Sequence, residues 1–108
     1  MDIIGNLRAQ IGGPRDGALL RFSLGNALLG GGDSVGAAIA FRDALGYDAA
    51  YSAAWKLLGR ALADSGDAAG AIGAWEHGIE AATARGDQQA AKEMGVFLRR
   101  LRKTTAAP

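Results

Sequence analysis

The feature that most constrains this chain is an internal repeat with a period of 34 residues. Displacing the sequence by 34 superimposes several matching residues without a gap: Leu24-Gly25 on Leu58-Gly59, Gly32-Asp33 on Gly66-Asp67, and Phe41 on Trp75. Alanine-rich low-complexity sequence would not hold a Leu-Gly pair, a Gly-Asp pair and a large aromatic residue in one register. A repeat of this length predicts stacked copies of one unit, each burying its apolar face against its neighbours.

Composition favours helices in both copies. Ala and Leu dominate the apolar residues, and β-branched residues, which favour sheets, are few. Apolar residues recur at intervals of three and four between breaks that contain Gly and Asp. This pattern predicts six helices, at about 2–11, 17–30, 34–46, 49–64, 68–84 and 87–103. Because the links are short, neighbouring helices are expected to be antiparallel.

The residues shared by the two copies follow a known pattern. In the second copy, Trp55, Leu58-Gly59, Ala71 and Trp75 occupy its characteristic positions. The first copy departs from it at Arg21, where a large aromatic residue is usual. This 34-residue unit resembles the tetratricopeptide repeat (TPR). The resemblance implies an all-α, TPR-like superhelix of antiparallel helix pairs, an α–α solenoid with two full repeats and flanking half-repeats.

All 108 residues are expected to form a single TPR-like domain. The full repeats would span 18–51 and 52–85, after an N-terminal helix within 1–13. A C-terminal capping helix would cover 86–103, since its polar outer face suits the end of a helical stack. The tail, 104–108, is expected to be frayed.

The shared residues are expected to serve packing. Gly25 and Gly59 would let a facing helix approach closely, and Phe41 and Trp75 would fill the space between helices. By this argument the most recognisable residues are structural. Positions at which the two copies differ are therefore the better candidates for function.

No residue pattern indicates catalysis. The chain has no Cys, and His77 is its one His, so neither a thiolate site nor a His-based zinc site or triad has a full set of residues. The glycines 30–32 follow a predicted helix, and no Lys-Ser/Thr pair follows them, unlike a phosphate-binding loop. Glu76 and Glu80 share a helix face but have no acid–base partner there. We expect no enzyme activity, no metal and no cofactor.

Charge and hydropathy indicate where in the cell the protein is expected. The net charge is +1, which creates no general attraction to nucleic acid or anionic membranes. No apolar run reaches the length of a membrane span, and the N-terminus lacks a basic segment followed by an apolar one. The absence of Cys is compatible with a reducing compartment. These features predict a cytoplasmic protein, and the Ala-, Gly- and Arg-rich composition suggests a bacterial source.

The resemblance also implies a binding surface, because the first helix of each TPR lines a concave groove that commonly holds a peptide. The positions proposed for partner binding are Leu19, Phe22, Asn26, Leu29, Lys56 and Arg60. Such a groove would be apolar at one end and basic at the other, which suits a segment with an apolar anchor and an acidic group. The expected function is a protein-interaction adaptor or scaffold. In the alternative interpretation, Leu19 and Phe22 pack against the N-terminal helix and the two cations are merely solvated.

Two further functions stay open from the sequence. Exposed repeat ends, or the helix at 2–11, could pair two chains into a homodimer. Six of the twelve Lys and Arg residues lie between Arg85 and Lys103, which allows a nucleic-acid contact. Nucleic-acid binding is the weaker possibility, since Phe97 is the one aromatic residue among those charges.

Overall fold

The structure is a computed structural model that describes residues 2–105. Within that range it contains six helices and no strand: α1 Ile3–Arg8, α2 Ala18–Gly30, α3 Ser34–Tyr47, α4 Ser52–Asp64, α5 Ala68–Arg85 and α6 Gln88–Thr105. The expected all-α, TPR-like fold is confirmed. Helices α2 and α3 form one pair and α4 and α5 another, while α3 packs on α4 and α5 on α6. The short helix α1 lies against α2.

A Gly-Asp pair both ends one helix and begins the next at three of the turns. Gly32, Gly66 and Gly86 have positive φ angles of 89°, 90° and 81°, a conformation that costs glycine little. The Asp that follows each glycine donates its backbone N–H to a carbonyl five residues earlier, at 2.8–2.9 Å. Its side chain then accepts an N–H of the next helix, at 2.8–3.1 Å. The predicted N-cap at Asp33 is therefore confirmed.

Three helix ends differ from the sequence expectation. α1 ends at Arg8 rather than near 11, because the next residues form tighter i to i−3 hydrogen bonds that lead to Gly12, with φ +81°. α4 begins at Ser52 rather than 49. The chain before it is held in a turn, in which the Ala50 N–H bonds to the Asp48 side chain at 3.0 Å and the Ala49 carbonyl accepts from the Trp55 indole at 2.8 Å. Helical periodicity does not report such contacts between side chains and the backbone.

The third difference lies at the end of the chain. α6 continues through Thr105, where the hydroxyl groups of Thr104 and Thr105 donate to helix carbonyls at 3.0 and 3.2 Å. The rest of the tail for which fraying was predicted, residues 106–108, lies outside the described residues, as does Met1.

Close packing of an aromatic ring on a glycine joins the two helices of each repeat. A Cβ on Gly25 would lie 2.7 Å from the Cδ1 and Cε1 atoms of Phe41, which is closer than real Cβ contacts. A Cβ on Gly59 would collide with the indole of Trp75. That indole also donates its Nε1–H to the carbonyl of Lys56 at 3.0 Å. The expected role of both glycines in close helix packing is confirmed.

A second contact between the two helices of each repeat has different chemistry in the two copies. Arg21 of α2 bonds to Asp43 of α3 at 2.8 Å and to Asp16, before α2, at 2.9 Å. The residues 34 positions later are Trp55 and His77, whose rings stack with centroids 5.5 Å apart. The same geometric link is thus ionic in one repeat and aromatic in the other. This explains how Arg21 can replace the usual aromatic residue without loss of the fold.

The ion pair with Arg21 changes the pKa of Asp16. The guanidinium of Arg21, which bonds to its carboxylate, is the main reason that the pKa of Asp16 lies well below its ordinary value. The backbone N–H of Gly12, at 2.9 Å, acts in the same direction. The link that Asp16 makes between the turn after α1 and the start of α2 is therefore stronger when its carboxyl is ionised.

We predict opposite effects of two Gly-to-Ala substitutions in helix interiors. Gly59→Ala should lower the free energy of unfolding by about 1–3 kcal/mol, because the added methyl group overpacks against Trp75. Gly73→Ala should raise it by up to about 1 kcal/mol, because Ala favours helix and a Cβ there meets open space. Urea denaturation followed by circular dichroism measures both changes. Equal effects of the two substitutions would contradict the packing described here.

We also predict that Asp16→Asn destabilises the fold in a pH-dependent way. A carboxylate with a lowered folded-state pKa contributes stability above its unfolded-state pKa, and that contribution is lost as pH falls through the folded-state value. The difference in free energy of unfolding between wild type and variant should therefore be full above about pH 4 and should shrink below it. Urea denaturation across this pH range measures it, and a difference independent of pH would contradict the role given to Arg21.

Candidate functional site

Helices α2, α4 and α6, the first helix of each pair and the terminal helix, lie side by side and form what we call the inner surface. α4 contacts both α2 and α6 in addition to its neighbours in sequence. Nζ of Lys56 on α4 lies 3.4 Å from Oε2 of Glu93 on α6, which joins the two helices across this surface. The six residues proposed for partner binding all lie on α2 and α4.

At the α2 end of the inner surface, two of the residues predicted to bind a partner pack against the core and two are exposed. The ring of Phe22 stacks on Tyr51, with centroids 4.9 Å apart, and tilts against Phe41 at 5.7 Å. Phe22 is thus half-buried, and its aromatic partners lie on α3 and at the start of α4 rather than on α1. Leu29 is also half-buried against the core, whereas Asn26 is exposed and Leu19 is 70% exposed. The high exposure of Leu19 shows that it is not buried against the N-terminal helix.

Tyr51 completes the apolar end of the inner surface. Burial raises the pKa of its hydroxyl, and the negative charge of Asp48 adds to that rise. The hydroxyl therefore stays neutral through the physiological pH range. Sequence reasoning did not select Tyr51, because its contact with Phe22 joins residues 29 positions apart and depends on how the helix pairs stack.

At the α4 end, the two predicted cations are in different environments. Lys56 is 27% exposed and its charge faces Glu93, while Arg60 is exposed and forms no ion pair within residues 2–105. An ion pair that is partly open to water contributes little to stability, so Lys56 can exchange Glu93 for another carboxylate at small cost. This end of the inner surface carries one free cation and one that is loosely paired.

A cleft on α6 extends the inner surface beyond the predicted residues. It has a volume of about 270 Å³ and is lined by Trp75, Phe97, Arg100, Leu101 and Thr104. The ring of Phe97 lies 5.6 Å from Trp75, one helical turn after Glu93. Phe97 is half-buried, packs against the core and forms one wall of this cleft. The signal available in the sequence was the spacing of Phe97 and Arg100, which places both on one face of the predicted helix at 87–103.

Outside the inner surface, His77 and Glu76 both have partners within the chain. His77 is exposed, stacks on Trp55, and its Nδ1 lies 2.9 Å from the Gly73 carbonyl. On α6, Arg102 pairs with Glu76. Within residues 2–105, no three His, Cys, Asp or Glu side chains come together as metal ligands would. None of the helices in that range combines the length and apolarity needed to cross a membrane.

Comparison with known proteins decides the family. No protein-family model matches the chain. The TPR repeat-containing protein PA0015 of Pseudomonas aeruginosa is 52% identical over 86 residues, which cover 80% of this chain and 82% of that protein. The chain belongs to the tetratricopeptide repeat family. The solution structure of protein BPP2914 from Bordetella parapertussis is similar to this TPR chain with a TM-score of 0.85 and 45% identity, over 98% of this chain and 92% of that one.

The family assignment made from the 34-residue period is thus confirmed. TPR domains are in general protein–protein interaction modules, which makes the inner surface the candidate functional site of this one. Its geometry is an apolar end at Phe22 and Tyr51, a cationic middle at Lys56 and Arg60, and an aromatic cleft at Phe97.

Proposed function

We propose that this TPR domain is an adaptor that binds a segment of another protein along the inner surface. The observation that supports the proposal is the contrast between two sets of positions. The large apolar residues that the two copies share are buried in the core, as at Phe41 and Trp75. Leu19, Asn26 and Arg60, at which the copies differ or the side chain faces water, are exposed and serve no packing. Exposed groups that the fold does not use are available to a partner.

The chemistry of the surface favours a partner segment with two features. An apolar side chain of the segment would lie against Leu19 and the half-buried ring of Phe22. A carboxylate would accept charge-assisted hydrogen bonds from Arg60 and from Lys56. The segment is therefore expected to be acidic with an apolar anchor. Its length and its extended or helical form depend on the partner.

We predict that Lys56→Glu combined with Arg60→Glu abolishes capture of protein partners from a lysate of the source organism. Reversal of both charges would repel an acidic segment and would also place a second carboxylate beside that of Glu93. Affinity capture with identification of the bound proteins by mass spectrometry measures the loss. Circular dichroism should show unchanged helical content, since both side chains are at least partly exposed.

The matched control is Arg15→Glu combined with Arg42→Glu. These cations are exposed, Arg15 in the turn before α2 and Arg42 on α3, so neither lies on a helix of the inner surface. The control variant has the same net charge as the test variant and should keep the wild-type partners. Loss of the same proteins from both variants would show a general effect of charge and would contradict the inner surface as the binding site.

A single neutral substitution tests the role of the ion pair. Glu93→Gln should strengthen binding of the captured acidic partner by a few-fold, because Lys56 no longer has a competing carboxylate within the chain. Titration calorimetry with the identified partner, at low and at high salt, measures the change. Weaker binding by Glu93→Gln would mean that Glu93 itself contacts the partner.

A further inference from the structure

The N-terminal end of the helical stack carries an exposed apolar surface. On α3, Val35 is 63% exposed and Ile39 is 57% exposed, and Ile11, after α1, is 41% exposed. Ile11 and Ile39 line a cleft of about 220 Å³ whose inner wall includes the core residues Leu24 and Leu28. Single exposed aliphatic residues are ordinary, but several at the mouth of one cleft that reaches the core indicate an interaction surface. We call it the N-terminal cleft.

The cleft is open because the helix that covers this end is too short. In the second repeat, Leu58 and Leu62 match Leu24 and Leu28, and the 14-residue helix α3 packs along the helix that carries them. At the N-terminal end, the corresponding place is taken by α1, which has six residues and contacts α2 far less extensively than α3 contacts α4. A surface on which a whole repeat would stack is therefore only partly covered.

The large aliphatic residues are specific to this end of the molecule. The positions that match Val35 and Ile39 in the second repeat are Ala69 and Gly73, so the repeat does not require bulk there. Neither side chain fills the core of its own repeat. Packing within the chain therefore does not account for them.

The opposite end of the stack is unlike the N-terminal end. Every exposed residue of α6 is polar or charged: Gln88, Gln89, Lys92, Arg99, Arg100, Arg102, Lys103, Thr104 and Thr105. Head-to-tail stacking of two copies would place the exposed aliphatic residues beside the cations of α6, where the apolar side chains, such as Phe97 and Leu101, are already half-buried. A two-fold arrangement with the N-terminal ends together instead places apolar residues on apolar residues and closes the assembly at two copies.

Charge at the rim of the cleft is compatible with two-fold symmetry. Arg8 and Asp43 line the cleft on different helices, so each copy offers one cation and one anion. Asp43 accepts from Arg21 through Oδ2, and a carboxylate has a second oxygen with which to accept. A two-fold interface must be complementary to itself, and Arg8 of one copy facing Asp43 of the other meets that requirement.

We propose that the chain forms a two-fold homodimer through the N-terminal cleft, in which Ile11, Val35 and Ile39 of each copy cover the cleft of the other. The interface uses none of the residues assigned to the inner surface. The dimer and the adaptor function are thus independent, and either can fail without the other.

Sedimentation equilibrium of the full chain, from micromolar to submillimolar concentration, tests the dimer. Wild type should be dimeric at the upper end of this range. Ile39→Glu should weaken the dimer by about tenfold or more, because the dimer would bury two carboxylates in an apolar contact. Leu19→Glu is the matched control, since Leu19 is the more exposed side chain and lies outside the cleft. It introduces the same charge and should leave the dimer unchanged.

Cross-linking gives a second readout that does not depend on a disruptive substitution. Because the chain has no Cys, Ile39→Cys creates a unique thiol. A short bis-maleimide should join two copies of Ile39→Cys efficiently and should join two copies of Leu19→Cys poorly. A wild-type protein that stays monomeric throughout the concentration range would overturn the proposal. So would a dimer that persists in Ile39→Glu, or one that Leu19→Glu disrupts equally.

Discussion

The packing of one aromatic ring on one glycine, repeated twice, is the contact on which the rest of the structure depends. Phe41 on Gly25 and Trp75 on Gly59 bring the two helices of each pair close enough for the small residues Ala37 and Ala71 to be fully buried. The Trp75 indole also bonds to the Lys56 carbonyl, so the ring is fixed in orientation as well as in depth. Since the contact recurs at the repeat period, it determines the geometry of the pairs and, with it, the side-by-side arrangement of α2, α4 and α6.

Once these contacts are made, other positions are free to change character. The link between the first and second helices is an ion pair, Arg21 with Asp43, in one repeat and a ring stack, Trp55 with His77, in the other. The two contacts join matching positions, one through opposite charges and the other through stacked rings. The same freedom allows the inner surface to be apolar near Phe22 and cationic near Arg60, and allows one end of the stack to be aliphatic while the other is basic. A surface that differs from repeat to repeat is what a specific partner can recognise.

The elements that sequence patterns predicted well are those set by local interactions. Asp33 is recognisable as a helix start because its side chain accepts an N–H only three residues away, at 2.8 Å. The beginning of α4 was predicted three residues too early, since the turn before it is held by the Trp55 indole and by Arg85, whose guanidinium bonds to the Ala50 carbonyl at 2.6 Å. Arg85 is 35 residues away from that carbonyl. Helical periodicity contains no information on such a contact.

By itself, the sequence determined the helical class, the period of the repeat and the glycines that admit aromatic rings, because all of these follow from spacing along one helix or between matching positions. Only the tertiary structure decided which surface residues meet. It joined Lys56 to Glu93, made Phe22 half-buried beneath Tyr51, and brought Ile11 to the same cleft as Ile39. The physical reason is that these contacts join helices that are not consecutive, or segments far apart in the chain. Their distances depend on how the pairs stack, and stacking is a property of the assembled core.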